Sequence, residues 1–260
     1  PYSFTAHAVD IYKEDVKEKV LTRKIEAAKC VVTVSDANKQ FLENHAKESS
    51  DKIIRIYNGI DVNRFKPGDD APDSPFTILA VARLVEKKGL VDLIEACRYL
   101  RDRELSFRCW IVGKGKLRRT LQELVDKWKL GDTVELLGAH SQDQILERYH
   151  QANLFVLPCI VGTDGNRDGL PVSIVEALAC GLPVVTTPVT GIPEAVRHEH
   201  NGLIVPEQNP RLLANAIQKL IIDRDLYARL RQNTRASVLE RFDLRKTVNE
   251  LLNAITRNVA

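Results

Sequence analysis

The sequence predicts an α/β protein with parallel sheets, and three observations predict it. Short apolar runs of strand length recur, among them CVVTV (Cys30–Val34), FTILAVA from Phe76 and LFVL (Leu154–Leu157). Stretches with helical periodicity lie between them. The two kinds alternate along the chain, as parallel layers require, because each return to a parallel strand needs a crossover.

In chain order, Tyr2–Thr5 reads as a strand and Lys13–Ala28 as a charged helix. Cys30–Val34 is a buried strand, Asp36–His45 a helix capped near Ser35, and Ile53–Tyr57 a third strand. The Pro/Asp-rich KPGDDAPDSP, Lys66–Pro75, reads as a linker. A second unit opens with FTILAVA and a helix over about Lys88–Leu100. Strand Phe107–Val112, helix Lys116–Trp128, strand Thr133–Leu137 and helix Gln142–His150 follow. Strand Leu154–Leu157, a helix from Ser173 and strand Leu182–Thr186 continue the alternation. This unit is a doubly wound domain, whereas the first holds only about three strands. The remaining chain is helical, and Val248, Leu251, Leu252, Ile255 and Val259 share one face, which predicts packing against the rest of the protein. The expected division is 1–66, 67–206 and 207–260, with the last helix returning to the first unit.

Charged residues make up 28% and hydrophobic ones 44%, which excludes disordered and collagen-like classes. The net charge of +3 is too small to argue for nucleic acid, and it is local: from Pro206 onward ten Lys/Arg face six Asp/Glu. Cys30, Cys97, Cys109, Cys159 and Cys180 are odd in number and form no CxxC pair. The six His form no HExxH. Neither a disulfide framework nor a metal site is expected, and reduced core thiols fit a cytoplasmic protein. The longest uncharged stretch, Ala177–Pro193, is broken by Gly181, Pro183, Pro188, Gly191 and Pro193, so no membrane span is expected. The chain starts at Pro1, contains no Met and shows no signal-peptide pattern. With the short first unit, this predicts a piece of a longer protein whose front is missing.

Loops after strand ends are where open parallel sheets bind ligands. After FTILAVA, Arg83 and Lys88 can both face a diphosphate, the guanidinium as a fork and the ammonium as a point charge; a solvated basic turn fits the residues equally well. After RCWIVG, Gly113-Lys114-Gly115 opens a helix whose free N–H groups favour anions. Arg118 stands where a dinucleotide fingerprint has its third glycine, which weakens a dehydrogenase reading. The most informative stretch is Gly162–Val184, a Gly/Asp/Asn loop running into Asp168-Gly169-Leu170-Pro171 and then a helix. Asp168 and Glu176, eight residues apart, suit a polyhydroxylated ligand, yet Ser173-x-x-Glu176 is equally a capping box. Spacing alone does not choose. Asp223-Arg224-Asp225 is a literal DxD, but it lies in the helical tail and reads as a solvated face.

FTAHAVDIY, IYNGIDVNRFKP, ARLVEKKG, IVGKGKLRRTLQEL, VELLGAHSQDQI and DGLPVSIVEALACGLPVV occur in the order found in family 4 glycosyltransferases, and Asp168…Glu176 resembles their E-x7-E motif. The resemblance covers nearly the whole chain, with FTAHAVDIY and GNRDGLPV most similar to the exopolysaccharide (colanic acid) group. It implies the GT-B fold, two facing Rossmann-like domains: here one donor domain with a parallel sheet, plus part of the amino-terminal acceptor-side domain. It also implies a retaining transfer of a sugar from a UDP- or GDP-linked donor to an acceptor hydroxyl, without metal or further cofactor. The acceptor would be a carbohydrate or lipid-linked. A cytoplasmic site follows, with peripheral membrane association of a longer protein at the inner face.

By the same resemblance, Arg83 and Lys88 hold the donor diphosphate, beside the Gly113 loop. Glu176 takes the ribose, and the backbone of Leu137 and Gly138 meets the base. Asp168 lies at the donor sugar with the backbone amides of Gly169, Leu170 and Pro171, and His7 lies near the transferred sugar; read alone, His7 would pass for a buried histidine at a strand end. Asp168 stands where most of the family has Glu, one methylene shorter. Two alternatives remain: a nucleotide-sugar binding fragment without turnover, and, weakly, an NAD-dependent dehydrogenase.

Overall fold

The computed structural model describes residues 2–68 and 75–259, so most of the expected linker, residues 69–74, lies outside the described residues. The first unit is a parallel sheet of β1 (Ser3–Ala6), β2 (Cys30–Thr33) and β3 (Ile53–Arg55) in the order β1-β2-β3. Helices α1 (Ala8–Tyr12) and α2 (Glu18–Ala27) link β1 to β2, and α3 (Asp36–His45) precedes β3. Every residue of β2 is buried, as a central strand covered on both faces must be. The α3 start follows from Ser35, whose hydroxyl accepts the Asn38 N–H at 3.1 Å. The helix expected over Lys13–Ala28 begins only at Glu18, and a separate short helix, α1, ends just before the expected start. The chain leaves α1 at Lys13 in an extended conformation and re-enters a helix only after Lys17.

The second unit contains β4 (Phe76–Val81), α4 (Leu90–Asp102), β5 (Phe107–Val112), α5 (Arg118–Lys127), β6 (Val134–Gly138) and α6 (Gln142–Gln151). It continues with β7 (Leu154–Leu157), α7 (Val172–Ala179), β8 (Val184–Thr186), α8 (Ile192–Ala195) and β9 (Gly202–Ile204). Its six strands run in the order β6-β5-β4-β7-β8-β9, and all their pairings are parallel. From β4 the chain builds outward through β5 and β6, then returns to the other side of β4 with β7. The order reverses there, and the crevice beyond the carboxyl ends of β4 and β7 is the place where such sheets bind ligands.

Three helices complete the chain: α9 (Pro210–Ile222), α10 (Arg224–Arg241) and α11 (Leu244–Val259). The apolar core of the second unit runs on past residue 206, since Leu213, Ile217 and Leu220 of α9 and Leu226, Leu230 and Val238 of α10 belong to it. Helix α11 lies against β2, where Leu251 and Ala254 join Cys30, Val32 and Ile56. The expected stripe therefore packs only in part: Val248, Leu252 and Ile255 are exposed, and Val259 falls outside the residues whose side chains are described. Asp223, Arg224 and Asp225 are exposed, as the solvated reading expects. The Asp223 carboxylate also accepts the Leu226 N–H at 2.9 Å and caps α10. All five cysteines are free and buried. Among the described residues, no helix is long and apolar enough to cross a membrane.

Candidate active site

The β4–α4 and β7–α7 loops meet at the reversal point. After β4 a single 3₁₀ turn, Glu86–Lys88, carries two lysines, and Gly89 then enters α4 in the left-handed conformation (φ 63°). Only glycine fits there. A β-carbon on Gly89 would sit 1.7 Å from the Pro158 carbonyl oxygen, so this turn lies directly on the backbone leaving β7. The Ile160 N–H donates to the Lys87 carbonyl at 3.0 Å, joining the two loops again.

This contact assembles a buried charge cluster. Lys88 Nζ is 2.8 Å from Asp168 Oδ2 and Lys87 Nζ is 3.3 Å from Asp168 Oδ1, with all three side chains at most 13% exposed. The Cys159 thiol, 3.6 Å from Asp168 Oδ2, is a third donor. Burial acts to raise the Asp168 pKa, but Lys88 and then Lys87 outweigh it and hold the carboxyl below its ordinary range. Burial pushes the Cys159 thiol up, so it stays protonated. Two ammoniums against one carboxylate leave one positive charge in excess. Lys87 also donates to Asn166 Oδ1 (3.1 Å) and to the Arg167 carbonyl (3.2 Å), and Glu86 accepts the Thr163 N–H (3.2 Å) and hydroxyl (3.1 Å). The Gly/Asp/Asn loop is thereby laced to the 3₁₀ turn. Lys87 had no assigned role in the sequence, because a KK doublet does not reveal that both side chains reach one carboxylate.

Arg83 is exposed and lines a cleft of about 130 Å³ with Glu86, Lys87, Lys116, Asp164 and Asn166. Its neighbour Leu84 is pinned: its N–H donates to the Lys114 carbonyl and its own carbonyl accepts from Leu117, both at 3.0 Å. The GKG glycines serve this packing. β-Carbons on Gly113 and Gly115 would meet the carbonyl oxygens of Ala82 (1.9 Å) and Leu84 (2.4 Å). The Gly113 N–H is taken by the Gly138 carbonyl at 2.7 Å, and α5 begins only at Arg118. The expected anion-binding helix start is therefore absent at Gly113, and the dinucleotide reading loses its geometry. Leu137 and Gly138 end β6, with Gly138 at φ 78°.

Two more expectations are corrected at α7. Helix α7 is entered through Pro171, so Ser173 is not its cap and the Ser173–Glu176 capping box does not form. Glu176 is the fifth helical residue, beyond the first turn, and its carboxylate accepts the Tyr149 hydroxyl at 2.9 Å. Burial raises its pKa, against the lowering effects of Tyr149 and Arg64. Among the described residues, no hydrogen bond or ion pair joins the Glu176 carboxylate to Asp168, Lys88 or Arg83. Pro171 has no N–H, so it offers its carbonyl, already bonded by Ile174 (3.1 Å), and not an amide. Leu170 and Gly169 are buried, and the Gly169 carbonyl accepts the Gly191 N–H at 2.8 Å.

The first unit closes over this loop. His7 caps α1 and is exposed, not a buried strand-end histidine, while its neighbour Ala8 lies beside Gly169. The Asp164 carbonyl accepts the Glu14 N–H at 3.1 Å, and the Arg167 guanidinium sits 4.6 Å over the Tyr12 ring. A second clamp comes from α8, whose Glu194 carboxylate accepts the first two N–H groups of α3, Asp36 at 2.9 Å and Ala37 at 3.0 Å, and the Tyr57 hydroxyl at 2.8 Å. Arg241 holds the Glu194 carbonyl at 2.8 Å and also bonds the Tyr57 hydroxyl. Glu194→Ala is expected to leave the sheets intact and to speed hydrogen exchange at the Asp36 and Ala37 amides by about tenfold or more. Unchanged exchange at those two amides would show that the clamp carries no weight. Among the described residues, no group of three His, Cys, Asp or Glu is placed to hold a metal ion.

Comparison with known proteins places the chain among glycosyltransferases. WcaL of Escherichia coli K12, provisionally named a colanic acid biosynthesis glycosyltransferase, is 37% identical over 207 residues, 79% of this chain and 51% of WcaL. AmsK of Erwinia amylovora, an amylovoran biosynthesis glycosyltransferase, is 40% identical over 151 residues, 58% of this chain and 37% of AmsK. The chain thus spans about half the length, or less, of these relatives. Among solved structures, Anabaena HepE in complex with UDP superposes with a TM-score of 0.86 at 22% identity, covering 99% of this chain and 72% of that one. That likeness establishes the α/β fold as the GT-B type, with Rossmann-like units. Residues 61–237 match the family model described as glycosyl transferases group 1. With that match, and with the paired lysines set at the reversal point of a Rossmann-like sheet, the chain belongs to the group 1 glycosyl transferases.

Proposed function

We propose that the protein of which this chain forms part is a retaining hexosyltransferase. It takes a sugar from a UDP- or GDP-linked donor and passes it to an acceptor hydroxyl, carbohydrate or lipid-linked, in polysaccharide or glycolipid synthesis. The observation that carries this is the excess positive charge at the reversal point, where Lys87 and Lys88 share Asp168 and Arg83 lines the adjoining cleft. Such a site favours an anionic ligand and pre-arranges cations where a departing diphosphate builds charge. WcaL and AmsK, by their names, support the polysaccharide role, and HepE with UDP supports the donor class.

In this reading the bond between the anomeric carbon and the diphosphate oxygen breaks, and the nucleoside diphosphate leaves with the electron pair. The acceptor oxygen forms its bond to the same face of that carbon, and its proton passes to the departing phosphate oxygen. Arg83 and Lys88 stabilise the departing charge, so the step needs no metal and no further cofactor. Glu176 takes the ribose, and the backbone at Leu137 and Gly138 takes the base, with Gly113, whose N–H is held by Gly138, shaping that wall rather than donating to the nucleotide. Asp168, Gly169, Leu170 and His7 surround the sugar. The reaction runs in the cytoplasm, where the free cysteines fit a reducing compartment, with the longer protein at the inner membrane face.

Calorimetric titration with UDP, GDP and NADH tests the reading. Arg83→Ala is expected to weaken nucleoside diphosphate binding about tenfold or more, since charge-assisted bonds are among the stronger ones. Asp223→Ala is expected to leave that affinity unchanged while costing about 1 kcal/mol of stability through the lost cap. NADH binding with no nucleoside diphosphate binding overturns the assignment. Release of free sugar from a labelled donor separates turnover from binding alone.

A further inference from the structure

One side chain in the contact between the two units has no partner, and it lies beside the proposed sugar site. Asn38, the third residue of α3, is fully buried, yet neither its side-chain oxygen nor its nitrogen makes a hydrogen bond among the described residues. A primary amide brings two donors and two acceptor lone pairs, and leaving them all unused in the interior costs stability that an apolar side chain would not. The surroundings would suit one: a β-carbon on Gly169 would lie 3.1 Å from Asn38 Nδ2, 3.4 Å from Val34 Cγ2 and 3.7 Å from Ala8 Cβ. The rest of this contact is satisfied. Ser35 caps Asn38's own N–H, Glu194 takes the two preceding ones, and Gly191 bonds the Gly169 carbonyl. The orphaned amide therefore points at the backbone next to Asp168, from the side that also carries His7 and Ala8.

We infer that Asn38 is a specificity-determining residue for the transferred sugar, its amide donating to and accepting from hydroxyls of the donor's hexosyl group when that group enters between the Asp168–Gly169 loop and α3. A pair of neighbouring hydroxyls offers the complement of an amide, a donor and an acceptor together, and a nucleoside diphosphate alone offers nothing at this position. The inference rests on the glycosyltransferase reading above. It predicts a division of labour in which Arg83 senses the nucleotide and Asn38 senses only the sugar.

The test is calorimetry of wild-type protein, Asn38→Leu and Asn38→Ser with UDP, UDP-glucose, GDP and GDP-mannose, beside thermal unfolding of each. Asn38→Leu is expected to keep the wild-type affinity for UDP and GDP within twofold, to lose about tenfold in affinity for the preferred nucleotide sugar, and to melt no lower than wild type. Asn38→Ser, which keeps one hydroxyl, is expected to fall between. Equal affinity ratios of nucleotide sugar to nucleotide in wild type and Asn38→Leu overturn the inference alone, as does loss of both affinities together. Absence of any nucleoside diphosphate binding by the wild type overturns the underlying reading, and this inference with it.

Discussion

Asp168→Ala is expected to lower folding stability by about 3–5 kcal/mol, the range seen when one partner of a buried ion pair is removed. The substitution leaves Lys87 and Lys88 facing each other with side chains only 9% and 10% exposed, both deprived of their counter-charge. It also strips the Cys159 thiol of its acceptor. Asp168→Asn keeps the volume and an acceptor oxygen but not the charge, and is expected to cost somewhat less. For a chain of this size the loss corresponds to about 10 °C in the unfolding midpoint. The pH dependence fixes the cause. The carboxyl is held below its ordinary range by the two lysines, so its contribution is fully present above the unfolded value near 4 and is lost as the pH falls through the lower folded value. The stability gap between wild type and Asp168→Asn is therefore expected to be wide at pH 7 and to narrow steadily below about pH 4. A gap that stays constant through acid, or one below about 1 kcal/mol at pH 7, would mean that the cluster is solvated and weak.

Gly89→Ala is expected to be at least as damaging, for a reason that involves no charge. Gly89 stands at φ 63°, where an alanine costs about 1–2 kcal/mol by itself. Its new methyl would also overlap the Pro158 carbonyl oxygen at 1.7 Å and the carbon behind it at 2.8 Å. Those are backbone atoms at the end of a buried strand and cannot swing aside as a side-chain tip could. The strain is relieved only by lifting the 3₁₀ turn, which draws Lys87 and Lys88 away from Asp168. A loss of more than about 4 kcal/mol is expected, with failure to accumulate as folded protein an acceptable form of it. Gly131→Ala is the control, since a β-carbon there meets nothing within 4 Å, and it is expected to melt within a degree or two of wild type. A wild-type melting curve for Gly89→Ala would show that the two loops are not in the contact described.

Much of the fold was legible in the sequence because its signals are local. Strands Phe107–Val112 and Leu154–Leu157 and helix Asp36–His45 fall where apolar runs and the Ser35 cap place them. The reversal point was legible too, through the loops that end β4 and β7 and the residues Lys88 and Asp168 that meet there. What was not legible depends on partners distant in the chain. The capping-box pattern at Ser173 and Glu176 is satisfied on paper, but Tyr149, 27 residues away, holds the carboxylate instead. The Gly113 loop resembles an anion site until the carbonyls of Ala82 and Gly138 are seen to occupy it. Glu194 carries no local mark of its bond to a helix 158 residues earlier. Asn38 looks like an ordinary helical asparagine, and only its burial and empty hydrogen-bonding positions set it apart.

The Glu194 clamp has a thermodynamic character of its own. The α3 end meets α8 through two main-chain N–H groups, a carboxylate, a phenol and a guanidinium, with glycine at the tightest approach. The same joint has an apolar seat, since the Tyr57 ring lies 4.6 Å from the Phe242 ring and both are buried with Ile192 of α8, so parting it exposes hydrocarbon and should raise the heat capacity as well as break polar bonds. Such a joint behaves as a catch whose few discrete bonds fix the register of an apolar seat. Warming should therefore not loosen it ahead of the core it shares with Tyr57 and Phe242.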